Sequence, residues 1–265
     1  MNGAAAPAPT LVRRSLPIWN LPISLAVRTT TPEQARSIDA AWAATAGELA
    51  EVDAVFSTYR HDSWISRLGR GEVTLAQCPA EVAEVLGLAE SARLGSDGVF
   101  DVRRSGADGT PRLDPLGLVK GWAVERAARR LLDALPGVDL ALNAGGDVWC
   151  HTARSDGDPW RIGIEDPRDP TRLVRVVDVR RGAVATSGSA HRGEHVVDAR
   201  TGRAPTALAS VTVVGRSLTW ADVDATTAYA LDQRAAAWLA ARPEHGALLV
   251  WRDGTTTEVG DLSGR

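Results

Sequence analysis

"DPLGLVKGWAVERAARRL", residues 114–131, begins with turn-forming residues and ends as an amphipathic helix. Asp114, Pro115, Gly117 and Gly121 surround one lysine, Lys120. Val124, Ala127, Leu131 and Leu135 then recur at helical spacing on one side, with Glu125, Arg126, Arg129 and Arg130 on the other. A glycine-bearing loop that feeds a helix presents backbone N–H groups and the positive end of the macrodipole, which suits a phosphate. An ordinary capped helix start has the same signature. The GxxxxGKS/T loop of nucleotide-hydrolysing enzymes is absent. The choice between cap and binding loop depends on the rest of the chain.

Upstream, "ISLAVRTT" (23–30) alternates as a strand does. In the next stretch Thr31 is an N-cap, Pro32 a first helical residue and Gln34 the completion of a capping box. Ile38, Trp42, Thr45, Leu49, Val52 and Phe56 make this a long helix. A second helix starts near Pro79 and ends around "RLGSDGVFD". Downstream of 138 the texture changes to β-like runs broken by Gly, Asp and Pro: "DLALNAGGDVWCHT", "WRIGIEDP", "LVRVVDVRRGAVATSG", "HVVDARTGRAP" and "SVTVVGRS". "ADVDATTAYALD" and "QRAAAWLAAR" are two late helices, and "GALLVWRDG" is a closing strand. Helices first and strands later give an α+β fold. The expected architecture is one compact unit of two intimately packed lobes, helices mainly in the N-terminal half and a mixed sheet in the C-terminal half. Residues 1–15 form a disordered Ala/Pro-rich tail in this reading, and 16–265 form the domain.

The 265 residues are 44% hydrophobic and 24% charged, enough to bury a large core. A net charge of −3 argues against a general nucleic-acid or membrane surface. Cys78 and Cys150 fit neither a disulfide framework nor a zinc site. The absence of a signal-like or spanning apolar stretch and of a lipobox-like cysteine makes the expected location cytoplasmic.

Three further stretches carry chemistry. In "NAGGD" (143–147), paired glycines allow positive φ, as a tight turn or a close approach to a ligand requires. In "WADVDATTAYAL" (220–231), Asp222 and Thr226 lie four apart and share a helix face. Carboxylate and hydroxyl oxygens suit a hard cation such as Mg²⁺, and Mn²⁺ and Ca²⁺ stay open. Asp224 lies about 160° around the helix from Thr226, a poorer co-ligand. Asp and Thr near a helix start are also common caps. "TSGSAHRGEHVVDARTGRAP" (186–205) gathers hydroxyls with His191, His195 and Asp198. A histidine there is a candidate proton acceptor or a structural hydrogen-bonder.

The order of these stretches is similar to that of a known family. "VFD" (99–101), "DPLGLVKGWAVERA", "NAGGD", "ATSG", "HVVDARTG", "SVTVVG" and "ADVDAT" resemble the landmarks of the FAD:protein FMN transferases, the ApbE-like flavin transferases. "FSTYRHDSWISRL" is similar to that family's early segment, so the likeness runs over about residues 18–255. The resemblance implies an α+β fold with FAD bound in a cleft. It implies Mg²⁺-dependent transfer of FMN from FAD to a Ser or Thr of an acceptor flavoprotein, with release of AMP. By the same likeness Phe100, Asp101, Asp114, Lys120 and Val196 contact FAD. The Gly117 carbonyl, Asp222 and Thr226 hold the metal, and His195 and Asp222 are catalytic, with His195 as the base. Pro115 and Leu116 stand where the family has Leu-Gly, and Asp224 is an addition. Two other outcomes remain open: hydrolysis of FAD to FMN and AMP, and FAD binding without catalysis.

Overall fold

The computed structural model describes residues 10–29, 31–105, 111–189 and 196–264. Its elements run β1 (Thr10–Ile18), β2 (Leu21–Thr29), α1 (Pro32–Phe56), α2 (Trp64–Gly69), α3 (Ala80–Gly95), β3 (Arg103–Ser105), β4 (Pro111–Leu113) and α4 (Leu116–Ala134). There follow β5 (Asp139–Ala144), β6 (Asp147–His151), β7 (Trp160–Asp166), β8 (Asp169–Val179), β9 (Arg181–Gly188), β10 (Leu208–Gly215), α5 (Leu218–Leu231), α6 (Ala235–Ala240), β11 (Gly246–Trp251) and β12 (Thr256–Val259).

Eight strands form one sheet in the order β1-β2-β5-β6-β9-β10-β11-β12. Its pairings are all antiparallel, where the sequence reading expected a mixed sheet. Short turns such as Gly145-Gly146 return the chain beside itself, which makes neighbours antiparallel. The first two strands come from the N-terminus, and β1 takes up residues 10–15 of the stretch expected as a tail. Of "HVVDARTGRAP", the described residues 196–205 supply only an isolated bridge, Asp198 to Arg203, instead of a strand.

The period of two explains the layers. Leu140, Leu142 and Ala144 of β5, Val211 and Val213 of β10 and Ala247 and Leu249 of β11 join the core beneath α1, α4 and α5. Their neighbours Ala141, Val214 and Leu248 point the other way, against Trp160, Ile164, Val177 and Val179 of the β7–β8 hairpin. A fully buried Val or Leu contributes about 1.5–3 kcal/mol, so both faces of the sheet are firmly covered. Thr31 and Gln34 make the reciprocal capping box read from the sequence.

The crossing of α4 on α5 matters most for the site. At Gly121 a Cβ would lie 2.8 Å from the Leu218 carbonyl oxygen, 3.1 Å from Thr219 Cα and 3.1 Å from Asp222 Cβ. One turn later, Glu125 accepts hydrogen bonds from Ser217 Oγ (2.7 Å), Thr219 N–H (3.1 Å), Thr219 Oγ1 (3.0 Å) and Arg129 Nη2 (2.6 Å). Glu125 therefore holds the first turn of α5 and is buried, not on the solvated face that its spacing suggested. Burial pushes its carboxyl up, but the bonds from Ser217, Arg129 and Thr219 outweigh this and hold it below the ordinary Glu range.

A carboxyl depressed in the folded state contributes stability above its unfolded pKa and loses it as pH falls through the folded value. Glu125→Gln should cost about 2 kcal/mol at neutral pH, since bonds to a charged acceptor are weakened. The deficit should shrink towards acid. Urea unfolding at neutral and acidic pH reads both, and a deficit independent of pH would assign the loss to packing alone.

Candidate functional site

Asp114 and Pro115 start α4 directly. Asp114 donates its N–H to the Val102 carbonyl at 2.7 Å, and its Oδ1 accepts from Leu116 N–H at 3.3 Å. Pro115 is the cap residue, with φ −85°. Gly117, Lys120 and Gly121 consequently lie within the helix, not in a loop ahead of it. Local chemistry explains the shift: Asp114 turns the chain and the fixed φ of Pro115 is already helical.

From the second turn of α4 Lys120 reaches two carboxylates. Its Nζ pairs with Asp147 Oδ2 and lies 3.6 Å from Asp222 Oδ1. Asp147 is 1% exposed and Asp222 2%, whereas the lysine side chain is 16% exposed. Asp222 arrives from α5 because Gly121 lets the helices meet there. Asp147 arrives from the sheet. Gly145 (φ 60°) and Gly146 (φ 100°) form a two-residue turn with both φ values positive, a conformation that favours glycine. Asn143 Oδ1 accepts from the Gly146 N–H at 3.1 Å. The next residue is Asp147, whose Oδ1 accepts from the Thr186 N–H of β9 at 2.9 Å. Beside Thr186, Ser187 Oγ lies 3.0 Å from Thr226 Oγ1 of α5.

The helix-face argument holds at α5. Asp222 faces Lys120, while Asp224 faces away and pairs with His245 Nδ1 at 2.7 Å and Arg242 Nε at 3.5 Å. That second cluster borders a separate cavity of about 420 Å³, also lined by Trp220 and Trp238.

Of the other sequence-derived residues, Phe100 packs at the start of α4. Phe100 is buried, and its ring carbon lies 3.5 Å from a Cβ built on Gly117. The Phe100 N–H donates to Ser96 Oγ at 3.0 Å. Asp101 Oδ1 accepts from the N–H and Nε of Arg103 at 2.9 and 3.0 Å. Val196 is buried in the main core. His191 and His195 lie outside the described residues.

Sequence reasoning passed over Asp147 and Ser187. It read "NAGGD" for its glycines, yet a carboxylate placed directly after the turn was the available signal. Among the described residues no group of three or more His, Cys, Asp or Glu could hold a metal. A cation site here would draw on carboxylate, hydroxyl and carbonyl oxygens, the donors of a hard ion. Two buried carboxylates against one ammonium leave negative charge at the site, and that fits such an ion. No described helix is long and apolar enough to cross a membrane.

Comparison with known proteins gives a concordant picture. The chain is 33% identical over 116 residues to a Vibrio cholerae protein named FAD:protein FMN transferase, a match covering 40% of this chain and 34% of that one. It thus spans about a third of the length of such curated relatives. The fold matches the ApbE protein of Thermotoga maritima with a TM-score of 0.79 at 18% identity, over 94% of this chain and 97% of that one. It also matches the apo flavinyl transferase ApbE of Pseudomonas stutzeri with a TM-score of 0.78 at 21% identity, over 97% of both. The ApbE family model covers residues 104–249, from β3 to β11. The chain belongs to the ApbE family.

Proposed function

We propose that this protein transfers FMN from FAD to a Ser or Thr hydroxyl of an acceptor flavoprotein, with release of AMP and with Mg²⁺ as cofactor. The observation that carries this reading is the meeting of Lys120, Asp147 and Asp222 where α4 crosses α5. A buried, negatively charged pair beside one lysine suits chemistry in which a cation and an ammonium share a substrate's phosphates. The names of the relatives supply the flavin.

Asp222 and Thr226 would hold the metal, with the Gly117 carbonyl. When bound, Mg²⁺ offsets the charge on the pyrophosphate and on the departing AMP. Lys120 adds a fixed positive charge for the phosphates. Phe100 and Val196 offer apolar surface to the flavin, and Asp101 and Asp114 offer carboxylate oxygens to hydroxyl or amide groups. His195 takes the proton of the acceptor hydroxyl.

The test is AMP release from FAD with Mg²⁺ or chelator, together with in-gel flavin fluorescence of candidate acceptors. Cation-dependent AMP with a fluorescent acceptor band is expected. AMP release without a flavin-labelled acceptor points to an FAD pyrophosphatase, and bound FAD without AMP to a binding protein. His195→Ala should slow transfer by about 10²–10⁴-fold while FAD affinity stays near wild type, the usual scale for a lost general base. Equal losses in both would make His195 a binding residue.

A further inference from the structure

We infer that Asp147 is a positioning residue for Lys120, and that the Lys120 ammonium is a built-in competitor of the divalent cation, which Asp147 draws away from Asp222. The inference rests on the metal-site reading above. Three observations lead to it. Lys120 Nζ pairs with Asp147 Oδ2 and stands at the longer distance of 3.6 Å from Asp222 Oδ1. Asp147 is fixed independently, because its Oδ1 accepts from the Thr186 N–H of a central strand. Both carboxylates are almost out of solvent, so their charges are weakly screened.

A cation that takes Asp222 must displace or tolerate the ammonium beside it. With Asp147 in place, the lysine keeps a full counter-ion when Asp222 is given up. Without Asp147, the ammonium turns to Asp222, and a cation must compete for that carboxylate. Asp147 therefore raises cation affinity through Lys120 and not as a ligand. The same contact keeps the ammonium beside the metal site, where the phosphates are held in the proposed reaction.

Charge counting separates this from simple attraction between Asp147 and the cation. Counting Asp147, Asp222 and Lys120, wild type and the double variant Asp147→Asn/Lys120→Gln carry the same net charge. Attraction by net charge alone gives those two the same affinity. The competitor mechanism gives the double variant the tighter binding, because the ammonium has gone. The introduced asparagine keeps an amide oxygen for the Thr186 N–H, so the local backbone bond survives.

The experiment measures Mg²⁺ binding by calorimetry and Mn²⁺ binding by electron paramagnetic resonance, with thermal unfolding in chelator as a control for folding. Asp147→Asn alone should weaken binding about tenfold, a fraction of the Coulomb energy at this separation. In the Lys120→Gln background the same change should alter affinity less than about threefold, a coupling that a double-mutant cycle detects. The double variant should bind about tenfold more tightly than wild type, by the same electrostatic reasoning. If Lys120→Gln fails to fold in chelator, the comparison of the isoelectric double variant with wild type decides alone. Equal effects of Asp147→Asn in both backgrounds, or equal affinities of double variant and wild type, overturn the inference and leave the metal site standing. Wild-type protein that takes up neither cation overturns the metal reading and this inference together.

Discussion

Asp222→Ala is expected to abolish cation-dependent AMP release from FAD, a loss of about 10²–10³-fold or more, while the chain keeps its fold. The scale is that of removing one electrostatic contact from charge developing in a transition state. The tolerance of the fold has a specific cause. Lys120 pairs with Asp147 as well as lying near Asp222, so losing Asp222 does not strand a buried ammonium. The site is left neutral, and unfolding in chelator should match wild type. Turnover at the wild-type rate would remove Asp222 from the site. A fall in thermal stability as large as the fall in activity would make it a structural residue.

The second large effect is expected at Gly121. Gly121→Val should destabilise the protein by about 3 kcal/mol or more, the upper range for overpacking at a close contact. It should also lose divalent-cation binding. In an isolated helix, replacing glycine with alanine is stabilising by about 1 kcal/mol. Here any Cβ meets the Leu218 carbonyl oxygen at 2.8 Å, a backbone atom that cannot rotate away. The helices must part, and Asp222 moves from Lys120 with them. Even Gly121→Ala should come out less stable than wild type in chemical denaturation. An alanine variant more stable than wild type would mean that the crossing has slack.

These two positions differ in how far the sequence alone could reveal them. The shared helix face of Asp222 and Thr226 was legible because the spacing of four on a helix is a local property. Their shared face, and the exclusion of Asp224 from it, followed from the helical repeat. The capping box at Thr31 and Gln34 and the positive-φ turn at Gly145-Gly146 were legible for the same reason. Each depends on residues within a few positions of one another.

Glu125 shows where local reasoning stops. Its spacing puts it with Arg126, Arg129 and Arg130, on what reads as a solvated face. The structure buries it because α5, more than 80 residues later, brings the hydroxyls of Ser217 and Thr219 and the Thr219 N–H to it. Those donors satisfy a carboxylate that would otherwise be costly to bury. No periodicity within α4 carries that information.

By itself, then, the sequence determined most of the helices, the capping box of α1, most of the strands, the family likeness and the shared helix face of Asp222 and Thr226. Only the tertiary structure decided that Lys120 stands between Asp147 and Asp222, and that the sheet is antiparallel from its first strand. Residues 120, 147 and 222 meet because Gly121 permits one helix crossing and a glycine turn delivers Asp147 from the sheet. Helical and strand periods are set by bonds between near neighbours. The charge balance of this site depends on contacts between residues far apart in the chain.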